Sequence, residues 1–210
     1  MATSLAKENI LRKIRQALSN PVPLPFAIQE SSNLSVFKPQ EEDLAVLFAE
    51  NFKTIQGNFS FCNNENDLLH QMSSLIQSKK WEKIFCREEN IKSILSKNNQ
   101  EFYPELSNCD VSITSCEYLI SRTGSIVMSS AQESGRTTSV YAPVHICIAY
   151  SNQLAYDLKD ALDFLKTKYH QDIPSLITFA TGPSRTADIE KTLVTGVHGP
   201  KEVYCFLVES

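Results

Sequence analysis

The chain has 210 residues, of which 42% are hydrophobic, and a formal net charge of −4 at pH 7. This length fits one α/β domain with an N-terminal arm. The charge is too mild to imply an acidic or basic partner, and the sequence shows no broad basic face for nucleic acid. The longest apolar runs, such as Val144 to Tyr150, are shorter than the roughly 18 residues of a membrane-spanning helix, so we expect no membrane span.

The N-terminal segment has the pattern of a basic amphipathic helix. Leu5 to Leu18 places apolar residues on one helical stripe, and its charged residues sum to +3. We interpret it as a clasp that packs on the domain or on a partner subunit. The alternative is a membrane-surface helix, which Glu8 and the absence of Trp and Phe disfavour. Prolines at 21, 23 and 25 predict an extended connector, so we assign residues 1–40 to the arm and 41–210 to the domain.

From residue 41 onward, predicted helices and strands alternate. The predicted helices are 44 to near 57, 64–80, 89–96 and 154–169, with a short helical turn at 116–120. The predicted strands are 59–62, 83–86, 110–114, 125–129, 142–150, 177–180 and 203–208. This alternation predicts a largely parallel or mixed sheet that is covered on both faces.

The stretch from residue 177 to 200 joins an apolar run to glycine-bounded turns. A Gly-Pro turn at 182–183 ends the strand, and Ser184 or Thr186 is placed to cap a helix with acidic residues in its first turn. Such a helix N-terminus would aim unpaired N–H groups at a carboxylate or phosphate. The alternative is that these residues only end a strand and begin a helix.

Three arginines stand beside glycines in predicted turns, in RTGS, ESGR and GPSR. Glycine lets the backbone approach a ligand and arginine offers directional donors, so converging turns would form an anion pocket beyond the strand ends. The alternative is that the arginines pair with nearby carboxylates and tie loops together. The predicted ligand-binding residues, with one histidine on a further glycine turn, are Arg122, Thr123, Gly124, Gly135, Arg136, Gly182, Pro183, Ser184, Arg185, Thr186 and His198.

Two other residues are candidates for catalysis, although neither is assigned. His145 has the residue type of a general acid or base, but it lies in a strand-like run where a structural histidine is the alternative. Glu133 is a candidate nucleophile for carrying an acyl group, with a solvated loop carboxylate as the alternative. The sequence has no Walker A, G-x-G-x-x-G or G-x-S-x-G motif, which disfavours classical ATP, NAD and serine-hydrolase sites.

The cysteines and histidines show no metal-ligand spacing. The six cysteines form no C-x-x-C pair, which argues against a zinc or iron–sulfur site in this chain. Several lie in apolar runs, where a thiol acts as a small hydrophobe. A reducing, cytoplasmic location fits this usage best.

The segment TGPSRTADIEKTLVTGVHGPKEVYCFLVE resembles the C-terminal signature of the LUD-domain family, the LutC/YkgG-like lactate utilization proteins. The resemblance extends to RTGSIVMSS, the ESGR loop and YAPVHICIAY, and more loosely to ILRKIRQAL. It implies a three-layer Rossmann-like α/β sandwich of the NagB/RpiA/CoA-transferase-like type with an N-terminal helical arm. It also implies a subunit or accessory factor that acts with LutA/LutB-like iron–sulfur proteins in oxidising L-lactate to pyruvate. Iron–sulfur clusters are then expected on those partners, and no cofactor on this chain.

One residue departs from the family pattern. The family often has an acidic residue before Thr-Gly, where this chain has Arg122, which implies either a lost chemical role or a more anionic ligand. Two alternative functions stay open: an independent CoA-transferase-like or phosphometabolite enzyme, and a non-catalytic organic-acid sensor. Ligand identity, chemistry within this chain and oligomeric state are not assigned.

Overall fold

The computed structural model describes residues 5–19, 43–189 and 192–210. The chain divides into two compact units, residues 1–40 and 41–210. In the first unit, α1 (Leu5–Ser19) confirms the predicted N-terminal helix, and Ile10, Leu11 and Ile14 are exposed on it. The proline-rich connector lies outside the described residues.

Five parallel strands form the main sheet of the second unit. Numbered in chain order, they are β1 (Asn58–Cys62), β2 (Ile84–Cys86), β3 (Val111–Thr114), β6 (Val144–Tyr150) and β11 (Glu202–Val208). Their order across the sheet is β1-β11-β6-β3-β2. The central strands β6 and β11 are mostly apolar, with His145 and Glu202 as exceptions, as expected for strands that are buried on both faces.

Two helices cover one face of this sheet. They are α3 (Glu65–Lys79) and α4 (Glu89–Ser96). Leu68 and Met72 of α3 and Leu95 of α4 are buried against the apolar side chains of the strands. The Asn64 side chain accepts from the Asp67 N–H and begins α3, which is the ordinary role of asparagine at a helix N-cap.

The opposite face is covered by helix α2 (Leu44–Thr54), the short helix α5 (Thr138–Tyr141) and a second sheet. That sheet contains β4 (Tyr118–Ile120), β5 (Ser125–Ser129), β7 (Leu154–Ala155) and β8 (Ile177–Ala180), in the order β7-β4-β5-β8. Helix α6 (Leu158–Tyr169) packs on its outer side through Ala161 and Leu165. The predicted α/β sandwich is therefore confirmed, with a second sheet as an added layer.

Three local predictions were wrong. The segment 116–120 is not a helical turn, because β4 pairs antiparallel with β5. The helix predicted from Leu154 begins only at Leu158, after β7 and an N-cap at Asp157. No helix follows Ser184, because β9 (Arg185–Ile189) and β10 (Thr192–Thr195) form an antiparallel pair; the Thr, Ile and Val residues there favour strands. Glu190, one of the acidic residues expected in the first turn of that helix, lies outside the described residues.

A buried carboxylate joins three of these elements. Glu117 is 3% exposed and accepts from Lys168 Nζ (2.7 Å), Tyr169 Oη (2.7 Å) and Ser129 Oγ (2.6 Å). Burial alone raises the pKa of Glu117, but these three hydrogen bonds outweigh it and hold the pKa below its usual value. The ionised carboxylate therefore fastens the end of α6 to the second sheet.

Among the described residues, no helix has both the length and the apolar character to cross a lipid bilayer.

We predict that Glu117→Gln lowers the free energy of unfolding by about 2 to 4 kcal/mol at pH 7. The amide of glutamine has one acceptor oxygen where the carboxylate has two, and it carries no charge for Lys168. Since the folded pKa of Glu117 is lowered, its contribution is complete above the unfolded pKa of about 4.3 and is lost as the pH falls through the folded pKa. Urea unfolding at several pH values should therefore show the two proteins converging in acid. Asp163→Asn removes an exposed pair on the same helix and should cost under about 0.5 kcal/mol. A deficit that does not change with pH would contradict the prediction.

We also predict that Gly124→Ala is far more destabilising than Gly135→Ala, although both glycines have positive φ (62° and 68°). A Cβ atom at Gly124 would lie 2.6 Å from the Phe52 nitrogen, whereas one at Gly135 would lie 3.7 Å from its nearest neighbour, Arg87 Nη1. Backbone strain costs about 1 to 2 kcal/mol at either position, and the clash adds roughly 2 kcal/mol at Gly124. Urea unfolding measures the free energy of unfolding of both variants. Equal losses would contradict the prediction and would show that helix α2 shifts to make room for the added Cβ atom.

Candidate functional site

The RTGS and TGPSR turns meet at the last turn of α2. Thr123 Oγ1 and Ser125 Oγ lie 2.8 Å apart, and Ser125 Oγ lies 2.8 Å from Thr181 Oγ1. Gly124 fits against the α2 backbone, and Gly182 against the Ile55 carbonyl just after the helix. Two of the three predicted glycine turns are thus brought together, and both glycines serve close packing.

Arg185 completes this contact. Its Nη2 donates to the Ile55 carbonyl oxygen over 2.6 Å. Ile55 is the C-cap of α2, where unpaired carbonyls give a helix end its partial negative charge and favour a cation. Arg185 therefore binds its own chain, in the manner of a helix C-cap.

Arg122 contacts a different helix end. Its Nη2 lies 2.8 Å from Asp157 Oδ1, and Asp157 also accepts from the Leu158 N–H at the start of α6. Burial raises the pKa of Asp157, but these hydrogen bonds outweigh it and the pKa is lowered. The bond to Asp157 raises the pKa of Arg122. This pair supports α6, which agrees with the structural alternative for an arginine in a turn.

The ESGR loop lies beside the carboxyl ends of β2 and β3. Arg136 Nη2 donates to Ser175 Oγ over 2.6 Å, and Glu133 Oε2 accepts from the Glu89 N–H at the start of α4 over 2.9 Å. Glu133, the candidate nucleophile, thus makes a hydrogen bond typical of a helix N-terminus. In the same loop, Gly135 adopts φ 68°.

A polar network beside this loop was missed from the sequence. Glu88 is 8% exposed and accepts from the Ser115 N–H over 2.9 Å. Gln132 donates to Ser115 Oγ over 2.8 Å and accepts from the Ser129 N–H over 2.8 Å. The available signal was position, because Glu88 and Ser115 closely follow buried strands. The network joins the loops after β2, β3 and β5.

The three arginines have three different partners. Ser175, which contacts Arg136, lies two residues before β8, whereas Ile55, which contacts Arg185, lies against Gly182, two residues after β8. The four residues of β8 alone span about 13 Å at roughly 3.3 Å per residue. Arg122 contacts Asp157. Within the part of the chain that the structure describes, these guanidinium groups share no partner, so ligand binding by all three stays a prediction.

A pocket of about 410 Å³ lies at the amino ends of β6 and β11, and we call it the VHGP pocket. Its lining residues are Val140, Tyr141, Ala142, Pro143, Gly196, Val197, His198, Gly199 and Lys201. Ser184 donates its N–H to the Pro200 carbonyl over 2.9 Å, and a Cβ atom on Gly199 would lie 2.9 Å from Ser184 Cβ. The TGPSR turn therefore packs against the Gly199–Pro200 segment of the pocket wall.

The residues that line the VHGP pocket include one lysine, Lys201, and one histidine, His198, and no carboxylate. His198 was predicted from the sequence and Lys201 was not, although Lys201 directly follows the VHGP motif. Apolar walls with a few polar groups are typical of small-molecule sites. The arrangement can hold a small organic anion with an apolar part.

His145, the candidate acid or base, is 1% exposed. Its Nε2 lies 2.8 Å from Thr114 Oγ1. Burial lowers the pKa of His145 to about 4, so the ring is neutral near pH 7. In this conformation it is a buried neutral side chain, without access to a solvent-borne substrate.

All six cysteines are buried and free. Burial raises the pKa of Cys62 to about 11 and of Cys86 to about 12, so these two are thiols at neutral pH and not thiolate ligands. Over residues 5–19, 43–189 and 192–210, no group of three or more His, Cys, Asp or Glu side chains is arranged to hold a metal ion.

Comparison with known proteins supports the resemblance seen in the sequence. The family model of the LUD domain matches residues 45–208. Lactate utilization protein C of Bacillus subtilis is 32% identical over 111 residues, which cover 52% of this chain and 46% of that protein. Its namesake from Deinococcus radiodurans is 30% identical over 107 residues, which cover half of each chain. The chain spans about half the length of the relatives that it matches.

A solved structure shows the same fold. The crystal structure of a DUF162 family protein from Deinococcus radiodurans superposes with a TM-score of 0.58 and 16% sequence identity, covering 79% of this chain and 96% of the other. At this identity the similarity shows the fold alone. The family model matches residues 45–208, which is most of the second unit, and this match shows the family. The chain belongs to the LUD-domain family of proteins related to lactate utilization protein C.

Proposed function

We propose that this chain acts in lactate utilization and binds a small organic anion, with L-lactate as the first candidate, in the VHGP pocket. One observation carries the proposal: Lys201 and His198 line a pocket that contains no carboxylate of its own. The names of the relatives, which refer to lactate utilization, support this choice of ligand.

The chemistry of the pocket suits a short 2-hydroxy acid. The Lys201 ammonium can donate to a carboxylate oxygen, and a charge-assisted hydrogen bond of this kind contributes about 1.5 to 3 kcal/mol. Val140 and Val197 are exposed and offer apolar contact to a methyl group. The volume of about 410 Å³ exceeds the size of a three-carbon acid, so longer organic acids also fit.

We further propose that iron–sulfur proteins of the LutA/LutB-like type are the partners that carry electrons from lactate. The six cysteines of this chain are packed in its core, and burial raises the pKa of the Cys86 thiol to about 12. Such thiols are poor cluster ligands, which require deprotonation. In this proposal the clusters are carried by the partner chains, and this chain provides the anion-binding site.

We predict that Lys201→Met weakens L-lactate binding about 10-fold, because the carboxylate loses its cationic donor. Titration followed by ¹H–¹⁵N NMR measures the affinity and shows whether the signals of Gly196, Val197 and Gly199 move. Lys166→Met, which removes a lysine on the outer helix α6, should leave the affinity unchanged. L-lactamide, which has no carboxylate charge, should bind weakly to both the Lys201→Met and the Lys166→Met proteins. Equal lactate affinity in Lys201→Met and the parent protein would exclude this pocket as the anion site.

We also predict that the tagged protein, purified from its native host, retains a cysteine-rich iron–sulfur protein, identified by mass spectrometry and by the visible absorption of its clusters. The Lys201→Met variant should retain the same partner, since Lys201 is assigned to the ligand. Lactate turnover by the isolated chain, without any such partner, would instead identify an independent enzyme.

A further inference from the structure

An apolar groove with an acidic rim lies between helix α2 and strand β1, and we call it the α2–β1 groove. It consists of two adjoining cavities of about 420 Å³ each, and Ala49, Glu50 and Phe59 line both of them. Val46 of α2 is 55% exposed in this groove, and Phe61 of β1 is 41% exposed. Contiguous exposed apolar surface of this kind marks an interaction site.

The fold leaves the groove open because β1 is at the edge of the main sheet. In the described part of the chain, β1 pairs with β11 alone. Phe59 and Phe61 are two residues apart, so they lie on the same face of the sheet. This is the face that α2 covers, because the Phe59 ring packs edge-on against Phe48 of α2, with ring centroids 5.9 Å apart. Phe61 extends the same apolar surface towards solvent.

The rim of the groove is acidic. Asp43, Glu50 and Glu209 line the cavity that contains Phe61, and none of these carboxylates forms an ion pair with another described residue. Contact of this face with itself would place the same carboxylates opposite one another, which disfavours a symmetric pairing of two grooves. The groove therefore favours an apolar partner that carries positive charge.

Helix α1 has the complementary character. Ile10, Leu11 and Ile14 are 59%, 40% and 49% exposed, and they share one side of the helix because they are one and four residues apart. Lys7 and Arg15 are four residues before and after Leu11, so they flank that apolar side. The helix carries a net charge of +3. A groove that receives the apolar side of an amphipathic helix is a common mode of recognition.

We propose that the α2–β1 groove binds helix α1 of a second copy of this chain, and that two copies exchange these helices to form a dimer. Both apolar surfaces are exposed in the single chain, and a second copy provides each with its counterpart. The 23 residues from 20 to 42 connect α1 to the domain. A chain of that length can extend to about 75 Å, which permits the helix to reach a neighbour.

Reciprocal exchange closes the assembly at two chains. Each copy gives one helix and receives one, so two identical contacts form together. The dimer does not depend on the proposed function, because the α2–β1 groove and the VHGP pocket have no lining residue in common.

Sedimentation equilibrium of the full chain measures the dissociation constant of the dimer. An arm variant, Ile10→Asp with Ile14→Asp, and a groove variant, Val46→Asp with Phe61→Asp, should each weaken the dimer at least about 100-fold, because each contact loses two apolar anchors. The control, Ile173→Asp, changes an aliphatic side chain that is 45% exposed outside the groove and should have no effect. Added salt should weaken the parent dimer by screening its opposite charges.

A mixture of the arm variant and the groove variant tests the exchange itself. The arm variant keeps an intact groove and the groove variant keeps an intact helix, so the mixture can form one complete contact where each variant alone forms none. The mixed dimer should therefore be tighter than either variant with itself, which also shows that both variants are folded.

Three results would overturn the proposal. They are a parent chain that stays monomeric at every concentration, a dimer that the arm variant leaves unchanged, and a mixture that recovers no association. A monomer that binds phosphatidylserine vesicles through α1 would instead assign this helix to a membrane surface.

Discussion

The last turn of α2 lies closer to two neighbouring turns than any side chain permits. A Cβ atom at Gly124 would fall 2.6 Å from the Phe52 nitrogen, and one at Gly182 would fall 2.5 Å from the Ile55 carbonyl oxygen. Both glycines also adopt positive φ, so glycine is required twice over. This contact between backbones holds the second sheet against α2, and the Arg185 guanidinium closes the same end of the helix.

Most of the fold could be predicted because burial produces a local pattern. The five parallel strands and helices α3 and α4 have apolar periods that identify them without knowledge of their neighbours. The segments 116–120 and 185–195 could not be predicted in this way, because each is short and takes its hydrogen bonds from another strand. For such segments, pairing within the folded protein outweighs local preference.

The candidate site was harder to predict from the sequence than the fold. His198 was found because glycines on both sides mark a turn, whereas the place of Lys201 in the same pocket depends on how β6 and β11 begin together. Each arginine was recognised as a donor, but its acceptor is distant in the chain: 35 residues for Arg122, 39 for Arg136 and 130 for Arg185. Spacing along a sequence cannot show such pairings.

The RTGS and TGPSR turns, which belong to the sequence by which this chain is recognised, have an architectural role. They hold helix α2 against the second sheet, and Arg185 lies at the negative end of that helix. The later part of the same signature, from Gly196 to Lys201, lines the VHGP pocket. One stretch of chain therefore both fixes the position of α2 and presents the proposed anion site.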